Sequence, residues 1–327
     1  MTVQPAGTTS DSRRVHDNPW AHSIFQQHWW LDAVAPGQWA EATVTKGGEG
    51  VAGLPYMIKK RHGLTILGQP QLMSTLGPWL KPADGKDGHR QHVEDELLTE
   101  LISQLPKHDL FHQQLSPAIS NGLPFHWAGF SAAIRYTCRL SGLADHDAVW
   151  NGFNDNAKRQ IRKAERDLEV RTDLGLQAFY EVNAETFDRR GVPVPYDFAA
   201  LSRLDAACAE RDQRRILFAV DADDRVVAAL YLVWDRNAAY YLMAGYREGP
   251  IRGGPSLLVW EALKFASTVV DTLDFQGSMI ESIDRFFRGF GARRVPFFFV
   301  SSQSHRMRVL RAAQELGNAI RGRPRPG

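Results

Sequence analysis

Residues 246–256, YREGPIRGGPS, form a loop rich in glycine and proline between a predicted strand and a strongly apolar predicted helix. Gly253 and Gly254 allow the backbone to turn so that its amide groups point toward a ligand. Unpaired amides at the start of a helix near Ser256, with Arg252 beside them, suit an anionic group such as a phosphate. A loop that only turns the chain is the alternative, since a glycine-rich loop is weak evidence by itself.

The elements around this loop follow an order typical of an α+β protein. Three strands with short turns predict an antiparallel meander before the loop, and helices alternate with strands after it. The predicted strands of this half are 216–220, 226–234, 238–246, 273–275 and 295–300, and its predicted helices are 256–270, 280–290 and 304–320. We therefore predict mixed central sheets flanked by helices.

The first half of the sequence shows a weaker version of the same pattern. A helix is predicted at 24–34 and a hairpin at 40–46 and 51–60, with further strands at 110–115 and 134–140. A chain of 327 residues is long enough for two units that each bury a core. The pattern favours two related units over an array of short repeats.

The composition predicts a soluble globular protein in a reducing cytoplasm. Hydrophobic residues make up 43% and charged residues 23% of the chain, and no stretch approaches the roughly 18 consecutive apolar residues of a membrane span. The polar start, MTVQPAGTTSDSRR, lacks the apolar region of a signal peptide. The two cysteines, Cys138 and Cys208, are too few for a disulfide framework or a cysteine-based zinc site.

A basic segment at 154–166, NDNAKRQIRKAER, lies within a predicted helix at 145–169. Its cations recur at helical spacing and present one broad positive surface, although the net charge of the whole chain is only +2. These cations are Lys158, Arg159, Arg162, Lys163 and Arg166. Such a surface can contact the phosphates of a nucleic acid, and a solvated charged face is the alternative.

A third segment, 274–291, DFQGSMIESIDRFFRGFG, leads from a buried-looking strand through a polar turn into a helix. Core packing explains the phenylalanines on the inner side of that helix. It does not explain why the polar turn at 276–278 and two arginines, Arg285 and Arg288, gather there. We therefore treat this segment as part of a candidate site.

Several common enzyme classes lose support because their motifs are missing. The sequence contains no HExxH, CxxC, GxSxG or P-loop lysine. Zincin, thiol-redox, serine-hydrolase and P-loop NTPase chemistries are therefore disfavoured. We predict neither a metal site nor a redox cofactor.

Taken together, these segments resemble the Fem-type aminoacyltransferases and their relatives in the GNAT superfamily. The matching stretches are Phe153 with KRQIRKAE at 158–165, Gly254 with LLVWEA at 257–262, and DFQG at 274–277 with Arg285, Phe286, Phe290 and Gly291. Phe25, Gln26 and Trp29 or Trp30 also resemble the opening helix of that family. The resemblance spans about residues 24–300.

The resemblance implies two tandem GNAT-like domains with a substrate channel along the second. We place these domains at 20–144 and 145–320, between a disordered segment at 1–19 and a flexible tail at 321–327. Fem-type members move an aminoacyl group from aminoacyl-tRNA to an amine, often of a peptidoglycan precursor, and some relatives use acyl-CoA. The implied partners are therefore tRNA and a small-molecule or peptide amine, with aminoacyl-tRNA or acyl-CoA as co-substrate and no tightly bound cofactor.

One departure from the family pattern lies in the late helix. The family commonly carries Phe-Lys-x-x-Phe, whose lysine stabilises negative charge at the reacting end of the donor. When Phe286 and Phe290 are aligned with the two phenylalanines, Phe287 occupies the lysine position. Arg285 or Arg288 could replace the lysine, because a guanidinium also binds phosphate.

These segments give each candidate residue a role. Asp274 is the candidate acceptor of the amine proton, and Arg285 and Arg288 are the candidate groups at the reacting end. The predicted donor-binding residues are Tyr246, Arg247, Arg252, Gly253, Gly254 and Ser256, and the predicted acceptor-pocket residues are Gln276, Ser278 and Phe287. The five cations of the basic helix are predicted to hold the tRNA backbone.

Three functions remain open at this point. Transfer from aminoacyl-tRNA is favoured, because five cations on one helix exceed what the few phosphates of a coenzyme require. The alternatives are an acyl-CoA-dependent N-acyltransferase and a catalytically silent GNAT-like binding protein, the latter suggested by the missing lysine. The first function requires that segments 156–166 and 247–256 lie together beside a cleft.

Overall fold

The computed structural model describes residues 17–277 and 279–320, with side chains up to residue 313. The predicted disordered segment at 1–19 lies outside the described residues as far as residue 16. The predicted tail at 321–327 and the predicted pocket residue Ser278 also lie outside them.

One mixed sheet of twelve strands runs through the described part of the chain. The strands are β1 (Trp39–Lys46), β2 (Glu49–Arg61), β3 (Leu64–Gly68), β4 (Trp79–Leu80), β5 (Leu110–Gln114), β6 (Ser131–Ser141), β7 (Glu169–Arg171), β8 (Arg214–Val220), β9 (Val226–Trp234), β10 (Ala239–Tyr246), β11 (Thr272–Asp274) and β12 (Arg293–Gln303). Their order in the sheet is β1-β2-β3-β5-β12-β6-β11-β10-β9-β8-β7, and β4 pairs with β2. The predicted α+β fold class is confirmed.

Helices cover the sheet and begin with a short 3-10 turn at Ile24–Gln26. They are α1 (His28–Val34), α2 (Asp87–Ser103), α3 (Leu123–Trp127), α4 (His146–Asn151), α5 (Asp155–Asp167), α6 (Leu176–Asp188), α7 (Phe198–Ala209), α8 (Gly254–Ala266), α9 (Glu281–Arg288) and α10 (His305–Ile320). Among the described helices, we find none with both the length and the apolar character needed to cross a bilayer.

The strand order repeats about the centre of the sheet. In one half the antiparallel strands β1, β2 and β3 are followed by β5, which is parallel to β3. In the other half β8, β9 and β10 are antiparallel, and β11 is parallel to β10. This repeat agrees with the tandem arrangement that the sequence predicted.

The two halves exchange their last strands. Strand β6, from the first half, pairs with β11, and β12, from the second half, pairs with β5. These two strands also pair with each other, from Arg293 opposite Arg139 to Ser301 opposite Ser131. The centre of the sheet is therefore built from strands of both halves that lie far apart in the sequence.

The start of the described chain also packs across the halves. Phe25 and Trp30 are fully buried in the core that contains Phe179 and Tyr231 of the second half. Helix α1 of the first half also packs against α7 of the second half. Packing thus crosses the boundary predicted near residue 145, and the domain limits at 20–144 and 145–320 stay predictions.

Two predicted helices are interrupted. The predicted helix at 145–169 is two helices, because the chain turns at Gly152 and Asn154 caps α5 by accepting a hydrogen bond from the Ala157 amide. The predicted helix at 24–34 is the 3-10 turn followed by α1, with Gln27 in extended backbone between them.

Candidate functional site

A gap in the sheet opens where β10 and β11 part. These parallel strands pair at two positions only, Ala239 with Leu273 and Tyr240 with Asp274. A bulge interrupts the register of β10 immediately afterwards. Bulges of this kind re-aim side chains and end pairing next to binding sites.

Three cavities follow β10 from this gap to the glycine-rich loop. The outer cavity, about 620 Å³, lies against residues 247–253, the middle one is about 480 Å³ and the inner one about 330 Å³. Tyr246 and Phe286 line both the outer and the middle cavity. Tyr241 and Phe287 line both the middle and the inner cavity. The three cavities therefore adjoin one another along β10, and together we call them the cleft.

The glycine-rich loop shapes the outer cavity at the start of α8. Gly253 has φ +96°, and a Cβ there would lie 2.5 Å from the Gln160 carbonyl oxygen on α5, so this position requires glycine. Helix α8 begins at Gly254, and its first turn, with the buried Ser256, contains no acidic residue. Arg252 lines the same cavity, is exposed, and has no carboxylate within ion-pair distance in the described chain. This is the geometry of an anion site at a helix N-terminus.

Arg247 lines the outer cavity with its charge already balanced. Its guanidinium lies 2.7 Å from the Glu185 carboxylate, and this hydrogen bond raises the pKa of Arg247. Its backbone amide donates to the Val227 carbonyl. Arg252 is thus the better-placed of the two predicted arginines for a new anion.

The basic helix α5 borders the outer cavity, so the two predicted segments lie together. Asn156 and Gln160 line that cavity, and α5 packs against α8. Arg159 and Lys163 each lie three residues beyond one of these, which puts them on the same helical face. No salt bridge joins any of the five α5 cations to a carboxylate within residues 17–277 and 279–313.

The five cations differ in their local contacts. Lys158 donates to the Asn151 carbonyl at 3.2 Å, and Arg159 donates to the Asn156 side chain at 2.7 Å. The Arg162 guanidinium lies 5.6 Å from the ring centre of Trp150. Lys163 and Arg166, the remaining two, are exposed. The cations therefore form a positive surface without ion-paired carboxylates among the described side chains, and Arg159 and Lys163 are its members on the side of the outer cavity.

The two arginines predicted at the reacting end do not line the cleft. Helix α9 turns Ser282, Ile283, Phe286 and Phe287 toward the middle cavity. Arg285 pairs instead with the exposed Glu281, and the Arg288 Nε lies 3.0 Å from the Asp284 carboxylate. Arg288 is adjacent to Phe287 and Arg285 lies two residues before it, so on a helix both point away from the direction of Phe287. The replacement of the family lysine by either arginine stays a prediction.

Asp284 anchors α9 to the exchanged strand β12. Its carboxylate accepts hydrogen bonds from Arg288 and, at 2.6 and 2.8 Å, from Arg294. The hydrogen bonds from Arg294 hold the pKa of Asp284 well below its usual range. Arg288 therefore belongs to a structural ion-pair network.

Asp274, the predicted proton acceptor, is buried and already hydrogen-bonded. Its carboxylate accepts from the Thr137 hydroxyl at 2.5 Å, from the Arg139 Nε at 2.7 Å and from the Gln276 backbone amide at 2.8 Å. Asp274 lines none of the three cavities in the described chain. These bonds favour a structural role for Asp274 at the start of the polar turn.

The inner cavity contains two of the predicted acceptor residues, Gln276 and Phe287, and the third, Ser278, lies outside the described residues. Its opposite wall comes from the first half of the chain, at residues 71–74. The Ser74 hydroxyl donates to the Gln276 side-chain oxygen and joins the two walls.

The segment that directly follows the wall at 71–74 is held by a buried glutamine, Gln26. The Gln26 side-chain amide donates to the carbonyls of Leu76, Gly77 and Pro78 at 2.9–3.1 Å. A fully buried amide with three acceptors fixes the position of this loop. The Phe25-Gln26 signal in the sequence therefore marks a residue that supports the cleft.

Several cleft residues were missed by the sequence analysis. Tyr196, Tyr241, Asn183 and Arg190 all line the middle cavity. Asn183 donates to the Ala244 carbonyl at 2.8 Å and accepts from the Tyr196 hydroxyl. Burial raises the pKa of both Tyr196 and Tyr241, so their phenols stay protonated at neutral pH.

A polar residue on the inner face of α6 was the available signal for Asn183, since it shares a helical face with the buried Phe179. No local pattern distinguishes Tyr196 or Arg190, which lie in or beside the connection between α6 and α7. Their position depends on tertiary packing.

Comparisons with known proteins agree with this architecture. An acetyltransferase (GNAT) domain model matches residues 152–282. The solved structure of FemX has a TM-score of 0.61 at 12% identity, covering 84% of this chain and 91% of that one. L-PGS from Bacillus licheniformis has a TM-score of 0.52 at 10% identity, covering 84% and 87%.

A tandem GNAT protein from the clavulanic acid biosynthesis pathway has a TM-score of 0.50 at 13% identity, covering 84% of this chain and 86% of that one. A search of curated protein sequences finds no match. The chain therefore has a Fem-like tandem GNAT fold, and the resemblance inferred from its sequence is confirmed at the level of the fold.

Proposed function

We propose that this protein is an N-acyltransferase that moves an aminoacyl group from aminoacyl-tRNA to an amine and forms an amide. One observation carries the proposal: an anion site at the start of α8 opens into a cleft at the β10–β11 gap, beside a positive helix. The donor site then belongs to the second half of the chain, at 145–320. Because charged tRNA is a cytoplasmic substrate, the proposal places the protein in the cytoplasm.

In this proposal the outer cavity binds the terminal phosphates of the donor. The amides at the start of α8 and the unpaired Arg252 supply hydrogen bonds and positive charge. From there the aminoacyl group extends through the middle cavity toward Tyr241 and Phe287. The α5 cations hold the nucleic-acid backbone without reading its sequence.

An aminoacyl ester is already reactive, so the protein mainly has to align the acceptor amine with the ester carbonyl. The amine nitrogen attacks the carbonyl carbon, a new C–N bond forms, and the C–O bond to the tRNA ribose breaks. The ribose hydroxyl leaves, and the amine proton passes to that oxygen, to solvent or to the substrate. The protonated phenol of Tyr241 can donate a hydrogen bond to the oxyanion that develops, whereas the Tyr196 hydroxyl already donates to Asn183.

Acyl-CoA is the second candidate donor, because the outer cavity suits the phosphates of a coenzyme equally well. The α5 surface favours tRNA, since its five cations have no carboxylate partner in the described chain and exceed what a coenzyme contacts. A binding protein without activity is the third candidate, and the apolar Phe287 at the lysine position is the observation that favours it.

The donor is tested by offering purified protein a pool of charged tRNAs and acyl-CoAs with amines from a cell extract. We expect a charged tRNA to be consumed and its aminoacyl group to appear as an amide. Consumption of acyl-CoA alone would replace tRNA as donor, and consumption of neither would support the binding protein.

The nucleic-acid surface is tested by reversing Lys163 and Arg166 to glutamate and measuring tRNA affinity against salt concentration. Each lost phosphate contact is expected to lower the slope of log K against log salt by about 0.7–0.9. The matched control reverses Lys59 and Lys60, two exposed cations of β2 in the first half. An unchanged slope in the α5 variant, or an equal change in the control, would remove the tRNA surface from the proposal.

A further inference from the structure

The inner cavity is lined without any charged side chain among the residues that the structure describes. Its apolar walls are formed by Leu72, Met73, Tyr241, Phe275, Ile283 and Phe287. Its polar groups are the neutral side chains of Gln71, Ser74 and Gln276, with the Tyr196 phenol. This composition contrasts with the outer cavity, which holds Arg247, Glu248 and Arg252.

Three aromatic rings of the inner cavity's wall pack against one another. The ring centres of Phe275 and Phe287 are 4.9 Å apart, and Tyr241 lies 5.5 Å from Phe287 and 6.2 Å from Phe275. Phe275 and Phe287 are nearly fully buried, so their positions are fixed by the core. The wall is therefore rigid and apolar.

The two carboxylates next in sequence to its lining residues are paired with arginines outside the cavity. Asp274 pairs with Arg139 behind the Gln276 turn, and Asp284 pairs with Arg288 and Arg294 on the far side of α9. None of these groups lines the inner cavity. A phosphate or carboxylate entering it would lose its hydration without gaining a cation, which is costly in an apolar site.

We infer that the inner cavity receives the acceptor and selects a primary amine on an apolar, aromatic-sized body with no anionic group near the nitrogen. This inference rests on the proposed transferase function. The Tyr241 and Phe287 rings hold the amine, as an ammonium through cation–π contact or as the free base. Gln71 and Ser74 supply hydrogen-bonding groups at the rim.

Binding is measured by titration calorimetry on the full chain, with 2-phenylethylamine as the apolar amine and O-phosphoethanolamine as the anionic one. We expect 2-phenylethylamine to bind at least about tenfold more tightly, because only the phosphate has a charge that the cavity cannot pair. Equal or tighter binding of O-phosphoethanolamine would overturn the inference.

Two substitutions at one position sharpen the test. Phe287→Lys adds a cation and is expected to weaken 2-phenylethylamine binding at least about tenfold. Phe287→Leu keeps the wall apolar, loses only the contact of one ring with the amine, and is expected to weaken binding about two- to fivefold. Because Phe287 is buried, circular dichroism checks that each variant is folded. Gln71→Lys, at an exposed rim position, places a cation there without burying it and is expected to weaken binding severalfold. Unchanged affinity in both lysine variants would contradict the inference.

Donor consumption separates this inference from the function on which it rests. Binding of 2-phenylethylamine that is lost in Phe287→Lys, with no donor consumed for any amine, would remove the transferase function and leave the apolar site. Consumption of a donor with anionic amines only would keep the transferase and overturn the acceptor class.

Discussion

The two halves of the sheet repeat one strand order, but the space beyond the parallel strand pair is filled in one half and open in the other. In the first half β3 and β5 pair in parallel. Beyond the end of β3, Leu76 forms one more parallel bridge, with Leu115 directly after β5. Both leucines are fully buried, so the gap is filled by the protein itself. In the second half the corresponding gap between β10 and β11 leads into the cavities. The same framework therefore builds a core in one place and a site in the other.

Helix α2 of the first half and helix α8 of the second half also differ, in whether the helix start is free to bind an anion. Helix α2 begins after Lys86 with Asp87 in its first turn, so a carboxylate already balances its N-terminal dipole. Helix α8 has no acidic residue in its first turn and is preceded by Gly253 in the left-handed region. Anion binding is therefore expected at α8 and not at α2.

The largest effect on stability is expected from a cavity created where Leu76 and Leu115 fill the first half. Leu115→Ala removes a fully buried side chain and should lower the free energy of unfolding by about 2–5 kcal/mol. Chemical denaturation measures this loss. Transfer by the folded fraction should be unchanged, and reduced turnover of fully folded protein would show that the filled gap also positions the cavity wall at 71–74.

The next effect concerns the glycine of the open half. Gly253→Val places side-chain atoms against the Gln160 carbonyl and should lower turnover about 100-fold by displacing the loop. Gly85→Val is the matched control, because Gly85 has φ +102° and precedes α2. It should cost stability through backbone strain and leave turnover intact. Equal losses of turnover would erase the distinction between the halves.

A smaller effect is expected from single charges. Arg252→Ala should raise the KM for the donor about tenfold and change kcat little, because the guanidinium contacts phosphates away from the reacting bond. Lys86→Ala, at the start of α2, should change neither constant. Steady-state kinetics with varied donor decides, and a fall in kcat alone would place Arg252 at the reaction centre instead.

The smallest effect is a pH dependence of stability. The pKa of Asp284 is depressed in the folded state, so its ion pairs stabilise the fold above the unfolded pKa of about 4 and are lost as the pH falls. Asp284→Asn should therefore lower the Tm at pH 7, with the difference from wild type narrowing toward pH 3. A constant difference between pH 7 and pH 3 would contradict this linkage.

Glu94 in the first half provides a control of opposite sign. Burial and the neighbouring Asp95 raise the pKa of Glu94, so its ionised form is disfavoured in the fold. Its unfavourable contribution is present above the folded pKa and disappears as the pH falls below the unfolded one. Glu94→Gln should raise the Tm at pH 7 and have less effect at pH 3.

The sequence predicted the parts of the molecule that depend on local signals. The meander, the glycine-rich loop and the helix after it follow from hydrophobic period and turn residues, and the structure begins that helix at Gly254 instead of Ser256. The favoured function required the loop to lie beside the basic helix, and in the structure Gly253 closely approaches Gln160 of α5.

Features that depend on distant parts of the chain were not predicted. The exchange of β6 and β12 has no local signature, because either strand has the same alternation whichever neighbour it pairs with. The direction of Arg288 was missed because it depends on Asp284, whose carboxylate accepts hydrogen bonds both from Arg288 on the same helix and from Arg294 on β12. Tyr196 lies after α6 and is placed in the cleft by its hydrogen bond to Asn183, on the α6 face that packs against β10.

The exchanged strand β12 also has a consequence for how the molecule is made. Its residues, 293–303, complete the middle of the sheet, yet a ribosome synthesises them after every other strand. Until they emerge, β5 and β6 each lack a neighbour, and the nascent first half presents open strand edges that invite aggregation. We expect expression of residues 1–144 alone to yield insoluble material, and co-expression with the remaining chain to rescue it.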